Sequence, residues 1–435
     1  MSTLVIGSGL AGLITVIHTK TGKPGEDVLM VEKPFPEGNT LIAGQRIRAG
    51  VAGKRIMPVD EIMSLLTRRN NGKITRQMGV FAETLIREIS YWHKCEVPHS
   101  DNPLWFGPQW GKPELHGVSK SHSLIEWFRN KASDLGVIFR SLEVIKLYRE
   151  DSLITGVLAK DANSKLFVLK ADNYVLAGGS STGLLFESTN RVIHYPPQLL
   201  AHDVGIPLSG STVTMTHPFG FCSRDLRSIP GCYETDAIAQ HQVYDTNENR
   251  LYDVEDLLQR HKAHYHFPKI SSDFWKIGGN ISLVSSDKTV KKTRVSVHYN
   301  QLGIQTTDGV CVNNINNLYA VGDASGLNYW TNHTERFPGF AIGNCLVSGR
   351  MCANAIYAKS RKSNPILLDV TVNQSNDASC NLNSHILHKL RRVNAEHILN
   401  ILLLENNSKT YSTKWEQEMT TACHSKSIQD MSILF

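Results

Sequence analysis

The sequence predicts an α/β fold: a parallel sheet interrupted by an inserted α+β domain and followed by a short helical tail. Three observations carry that prediction. An apolar strand pattern at the start of the chain runs directly into closely spaced glycines and an apolar helix. A second apolar strand, at 28–31, ends in an acid about twenty residues past the last of those glycines. Two later apolar strands, at 174–177 and 317–321, each run into glycine as well.

Leu4, Val5 and Ile6 form the first strand, and Leu10 to His18 read as a helix, so Gly7, Gly9 and Gly12 occupy a G-x-G-x-x-G turn between them. The first glycine permits the sharp turn and the second lets backbone approach a pyrophosphate. The third lets helix and strand pack closely, with the helix N-terminus facing the phosphates. Val28 to Val31 form the second strand, and Glu32 closes it with a carboxylate suited to the two hydroxyls of an adenosine ribose. A purely structural turn is the alternative for the glycines alone. Strand, glycines, helix, second strand and terminal acid together predict a dinucleotide site, and the acid favours FAD or NAD over NADP.

The remaining composition narrows the class. Among 435 residues, Lys+Arg number 46 against Asp+Glu 40, and the resulting +6 is spread without a long basic block. No basic aromatic stripe points to nucleic acid. Eight cysteines are scattered with no C-x-x-C, which argues against zinc or iron–sulfur ligation, and no metal is expected. The N-terminus enters a strand without a basic leader, and no apolar run is long enough for a membrane span, so a cytoplasmic protein is expected.

Later motifs separate FAD from NAD. Tyr174 to Ala177 lead into Gly178-Gly179, and "NLYAVGDASG" leads into Gly322-Asp323. In two-dinucleotide-binding-fold flavoproteins such a late Gly-Asp sets a carboxylate on the ribityl chain of the flavin. With these pieces in place, the chain resembles the flavoproteins that include L-aspartate oxidase and the flavoprotein subunits of succinate dehydrogenase and fumarate reductase. "EGNTLIAGQ" resembles their flavin-wrapping stretch, and "VLAGGSSTGLLFESTN" their second glycine-rich turn. "TMTHPFGF" is similar to their His-Pro motif, "VHYNQLGI" to their second histidine motif, and "ERFPGFAIGNCLVSGRMCA" to their arginine segment and last cofactor helix. The resemblance covers most of residues 1–358 and implies a Rossmann-like FAD domain.

Further cofactor contacts follow from the resemblance alone. It implies Leu10 and Ala11 in the first turn, Lys33 beside Glu32, and Asn39, Thr40 and Gly44 around the flavin. It adds Val144, then Ala177 to Gly179 with Thr189 and Asn190, and finally Gly339, Ala341 and Ile342 beside Gly322 and Asp323. Where succinate dehydrogenases carry the histidine that bonds covalently to flavin, this chain has Asn39. The FAD is therefore expected to be non-covalent.

The family's shared reaction moves a hydride between flavin N5 and a substrate carbon, with the protein supplying orientation and charge. His217, His298 and Arg336 match the family's carboxylate clamp. Arg336 offers a planar donor fork, and each histidine can donate to a carboxylate oxygen. Core histidines and a surface arginine are the plain alternatives. Glu114 matches, across an insertion, a glutamate that aspartate oxidases use to hold the substrate amine; a solvated loop glutamate is the alternative.

Departures from the family bear on the proton. The Pro-Arg-Asp motif of the family's capping domain does not occur, and Arg260, in "DLLQRHKAHYHFPKI", lies about where its arginine would. Arg260 is the candidate proton donor, with a helix-surface arginine as the alternative. His261, His264, Tyr265, His266 and Lys269 surround it, any of which can handle protons. Tyr329, Trp330, Phe337 and Phe340 add aromatic bulk around Arg336, which opens the possibility of a substrate larger or less polar than succinate; core packing reads them equally well.

The expected organisation is a FAD domain at 1–205 and 291–360, a substrate cap at 206–290, and a helical tail at 361–435 in which Ile386 to Leu404 form an amphipathic helix. The expected activity is hydride transfer by an FAD-dependent oxidoreductase to or from a carboxylate-bearing or amine substrate. The electron acceptor is left open among O2, a quinone and a fumarate-like compound, as is the oligomeric state. L-aspartate oxidase, oxidising a C–N bond to an imine, is one rival. A flavoprotein subunit without catalysis is another.

Overall fold

A computed structural model of the chain describes residues 1–33, 58–69, 74–97, 99–100, 109–110, 122–181, 196–209, 214–221, 238, 240–254, 271, 273–274, 277, 280–300, 302–325 and 340–359. The chain divides into two compact units. The first draws its described residues from 1–180, 196–209 and 302–359, and the second from 181 and 214–300.

The first unit is built on β1 (Ser2–Ile6), α1 (Leu10–Gly22) and β2 (Asp27–Glu32). Helices α2 (Arg76–Lys94) and α3 (His122–Asp134) follow, then β3 (Ile138–Ser141). A three-stranded antiparallel meander comes next: β4 (Glu143–Glu150), β5 (Leu153–Lys160) and β6 (Leu166–Leu169). Strand β7 (Asn173–Leu176) and the short α4 (Pro197–His202) complete the N-terminal part.

The sheet's last strand arrives late in the chain. Strand β13 (Leu318–Ala320) pairs with β7, giving the order β13, β7, β1, β2, β3, parallel throughout. Because side chains alternate along a strand, the register stacks Leu4, Leu29, Tyr174 and Leu318 in one row and Ile6, Val31, Leu176 and Ala320 in the next. Both rows are buried and join Leu147, Val157 and Leu169 of the meander in one core. The opposite face is apolar too, with Val5, Val28, Met30, Val175 and Tyr319 all buried, which is the pattern of a parallel sheet covered on both sides.

Helix α1 packs against α3 and against α5 (Phe340–Ala358). It runs on to Gly22, past the His18 end read from the sequence, because its last turn is capped by other parts of the chain. Lys20 Nζ donates to the carbonyls of Pro24 and Glu26, at 2.9 and 3.0 Å. The Tyr357 hydroxyl of α5 donates to the Thr19 carbonyl at 3.0 Å and accepts from the Gly22 N–H at 2.9 Å. The Thr19 carbonyl is one of the groups that a free helix end leaves open, and the Lys20 bonds tie the helix to the turn that follows it.

The second unit is a five-stranded antiparallel sheet in the order β8 (Thr214–Phe221), β12 (Val290–Asn300), β11 (Asn280–Val284), β9 (Gln242–Tyr244) and β10 (Arg250–Asp253). Phe219, Val243, Phe274, Ile281, Leu283 and Val295 form its core, with the rings of Phe219 and Phe274 centred 5.9 Å apart. Strand β12 stays with this sheet to Asn300, since it pairs with both β8 and β11.

Candidate functional site

In the first unit, the loop between β1 and α1 is shaped by close approach. Gly7 has φ of +112°, and a Cβ there would lie 2.5 Å from the Ala177 carbonyl oxygen. Its N–H donates to the Val31 carbonyl at 2.9 Å, and Ala177 N–H donates to the Ile6 carbonyl at 2.8 Å. A Cβ on Gly12 would run into the Gly7 carbonyl and come within 3.2 Å of Ala177 Cβ. The two glycine turns found separately in the sequence, at Gly7–Gly12 and Ala177–Gly179, therefore meet at one end of the parallel sheet. Helix α1 opens there from Gly9 without a side-chain cap or an acidic residue in its first turn, so its leading N–H groups suit an anion.

The third segment joins the same end. Gly322 and Asp323 start a short 3₁₀ turn after β13, and a Cβ at Gly322 would approach Ala11 Cβ to 2.8 Å. Helix α5 holds that turn through two polar side chains: Gly322 N–H donates to Ser348 Oγ at 2.8 Å, and Asn344 Nδ2 donates to the Gly322 carbonyl at 2.9 Å. Ser325 Oγ donates to the same carbonyl at 3.0 Å. Gln198, buried at the start of α4, then ties the segments together. Its Nε2 faces the carbonyls of Gly179, Leu302 and Asp323 at 3.1, 3.3 and 3.3 Å, while its buried Oε1 has no hydrogen-bond partner among the described residues.

Leu10, Ala11, Ile342 and Val144 are buried, Val144 within the core of the meander, and Lys33 and Ala341 are partly exposed. Leu142, just before β4, donates its N–H to the Glu32 carbonyl at 2.7 Å, which brings the start of β4 and Val144 close to the end of β2. The Glu32 carboxylate is forked by the Arg129 guanidinium. Glu114, Asn39, Thr40, Gly44, Thr189, Asn190, Arg260, Arg336 and Gly339 lie outside the described residues, as do Tyr329, Trp330, Phe337 and the tail.

In the second unit, the two histidine motifs face each other across one ladder. Between the pairs Met215–Tyr299 and Thr216–Val297 the register slips, and the extra residue is His298. It slips again between His217–Ser296 and Gly220–Arg294, where the extra residue falls on β8 beside Pro218. Pro218 has no N–H to give the ladder, so a proline in this strand belongs at such a break. His217 is 6% exposed, and its Nδ1 accepts the Phe219 N–H at 3.1 Å. That bond assigns the proton of the neutral imidazole to Nε2, making Nε2 a donor.

Among the described residues no group of three or more His, Cys, Asp or Glu side chains is placed to hold a metal ion, and no helix is long and apolar enough to cross a membrane. Sequence reasoning missed Arg129, Gln198, Asn344 and Ser348. The last two carry a faint signal, polar residues spaced by one helical turn in the otherwise apolar "FAIGNCLVSG".

No protein-family profile and no curated protein sequence matches the chain. Solved structures match it by fold. FrdA of the E. coli quinol fumarate reductase superposes with a TM-score of 0.63 at 14% identity, covering 89% of this chain and 74% of that one. A flavocytochrome c3 fumarate reductase gives 0.65 at 16% identity, over 81% of this chain and 77% of that one. The 3-ketosteroid-Δ4-(5α)-dehydrogenase of Rhodococcus jostii, solved with 4-androstene-3,17-dione, gives 0.57 at 15% identity, over 82% and 96%. The chain has the α/β fold of the fumarate reductase and succinate dehydrogenase flavoproteins, as the sequence motifs imply. At these identities the likeness is one of fold.

Proposed function

We propose that this chain is an FAD-dependent oxidoreductase that holds its flavin non-covalently and moves a hydride to or from a carboxylate-bearing substrate. The cradle residues fit the cofactor: Gly7 and Gly12 let the β1–α1 loop close against Ala177 and on itself, where a Cβ would strike backbone, and α1 offers uncapped N–H groups to phosphate. Bound FAD supplies the hydride chemistry. This chain's residues supply binding, orientation and protons.

The observation that carries the substrate class is the β8–β12 ladder, whose two irregularities fall at the two histidines read independently as carboxylate ligands. With Nδ1 accepting from the Phe219 N–H, a neutral His217 carries its proton on Nε2, the tautomer that donates to a carboxylate oxygen. Burial keeps competing water away and strengthens that bond. In this reading the second unit is the substrate cap, with Arg336 as a further candidate carboxylate ligand and Arg260 as the candidate proton donor.

The test is anaerobic flavin reduction by a panel of carboxylates, amines and cyclic ketones. Bleaching by a carboxylate, lost by about a hundredfold in His217→Ala with FAD still bound, is the expected result. Bleaching by L-aspartate with peroxide on re-aeration selects an amino-acid oxidase. Bleaching only by a cyclic ketone removes the carboxylate clamp. FAD uptake with no reduction by any compound selects a non-catalytic flavoprotein.

A further inference from the structure

Three helices of the first unit meet around one buried imidazole outside the cofactor cradle. His18, in the second half of α1, has its ring wedged against Tyr91 and Trp92 of α2, 5.2 Å from each. A terminal nitrogen of Arg350, from α5, lies 2.8 Å from His18 Nδ1, and Glu88 Oε2, from α2, lies 2.7 Å from Nε2. A guanidinium can only donate, so Nδ1 accepts, and the imidazole proton sits on Nε2 and is donated to Glu88. The same Glu88 oxygen accepts from Trp92 Nε1 at 2.9 Å, and Arg350 Nε stands 3.8 Å from Oε1. Every polar group of the cluster thus depends on the neutral form of His18.

The cluster closes a seam between α1 and α5. Along that seam a Cβ on Gly349 would lie 2.7 Å from Ile14 Cγ2 and 3.0 Å from the Ala11 carbonyl oxygen, and the Tyr357 hydroxyl bonds the His18 and Thr19 carbonyls. Helix α1 carries the leading N–H groups of the cradle, while α5 carries Asn344 and Ser348, which hold Gly322. Arg350 follows Ser348 by two residues, about 3 Å along the helix axis. Its grip on α1 therefore acts close to the turn that bears Asp323.

Among the described residues, the charged and titratable groups facing His18 are Glu88 and Tyr91 of α2 and Arg350 and Tyr357 of α5. Burial above all pushes both tyrosines up from their ordinary range, so neither ionises between pH 5 and 8, and a guanidinium keeps its charge. Histidine is the side chain whose charge changes in that interval. A proton arriving at Nδ1 turns the acceptor into a donor and sets two N–H groups against each other. Arg350 has 40% of its side chain exposed and can turn into water, whereas His18 and Glu88 are buried.

We propose that His18 and Arg350 form an acid-sensitive latch on the cofactor site: a proton from solvent on His18 releases Arg350, α5 loosens from α1, and the Gly322–Asp323 turn holds FAD less tightly. This rests on the reading that the glycine cradle takes FAD.

The experiment measures the FAD dissociation constant of flavin-stripped protein by fluorescence quenching from pH 8 to pH 5.5, with circular dichroism following the fold at each pH. Wild type, His18→Gln and Arg350→Met are compared. The amide of H18Q can accept from Arg350 and donate to Glu88 without titrating. Wild-type affinity is expected to fall about tenfold over this range, the worth of one charge-assisted hydrogen bond and within the tenfold per pH unit that one linked proton allows. H18Q stays within about twofold of its pH 8 affinity throughout, and R350M binds about tenfold more weakly than wild type at pH 8 with a flat profile. A merely structural cluster would weaken binding in the variants and leave the slope in place. The full wild-type slope retained in a folded H18Q or a folded R350M overturns the proposal, as does a folded wild type whose affinity is unchanged with pH. Wild type that binds no FAD at any pH overturns the FAD reading itself, a result distinct from the others.

Discussion

Gly12 sits inside α1, where helix propensity alone predicts that alanine would stabilise the chain by about 1 kcal/mol. The structure predicts the opposite sign. A Cβ at Gly12 would strike the Gly7 carbonyl and come within 3.2 Å of Ala177 Cβ. The Gly7 oxygen is backbone and cannot rotate aside, so α1 must lift away from the loop and from β7. Overpacking of this kind costs about 1–3 kcal/mol against the propensity gain of about 1 kcal/mol, so Gly12→Ala is expected to destabilise by up to about 2 kcal/mol net. For a chain of this size that corresponds to a fall in Tm of up to roughly 2 °C. The displaced loop would also present its N–H groups out of line, weakening FAD binding at least about tenfold. Thermal melts of flavin-free protein and FAD titration measure the two effects. A Gly12→Ala protein that melts higher than wild type and binds FAD normally would refute the close-approach reasoning.

Gln198→Leu removes the donor shared by Gly179, Leu302 and Asp323; we expect a loss of about 1–3 kcal/mol in stability, with FAD restoring less of it than in wild type, measured by melts with and without cofactor. His241 is buried at 8% exposure, and neither ring nitrogen makes a hydrogen bond of good geometry among the described residues. Burial, then Lys291, push its pKa below its ordinary value of 6.5, with weaker opposition from the Ile238 carbonyl and Asp287. Below about pH 6.5 the unfolded chain therefore takes up the proton more readily than the folded one, and stability falls with pH until the folded form protonates too. His241→Leu should raise stability by about 1 kcal/mol and flatten that acid-side loss, as read by urea denaturation across pH 5–8.

Much of the site was legible because it is written locally. The β1–α1 loop shows a change of hydrophobic period across three glycines, and Glu32 stands at a distance set by one βαβ unit. The His-Pro pair was legible as a motif, and its physical reason emerges only with the ladder, where Pro218 breaks the pairing beside His217. Arg129 and Gln198 were not legible. Their partners lie far along the chain, and a single arginine or glutamine on an amphipathic helix has no periodic signature. Asn344 and Ser348 stand between these cases, visible as polar breaks in an apolar helix and meaningful only once Gly322 is placed against them.

The most direct measurement is the flavin content of the purified chain after incubation with FAD and gel filtration, followed by acid precipitation. The expected result is yellow protein carrying about one flavin per chain, all of it released as free FAD into the acid supernatant. Colourless protein that retains no flavin would contradict the cradle formed by Gly7, Gly12 and Asp323, and flavin that stays with the precipitate would contradict its non-covalent hold.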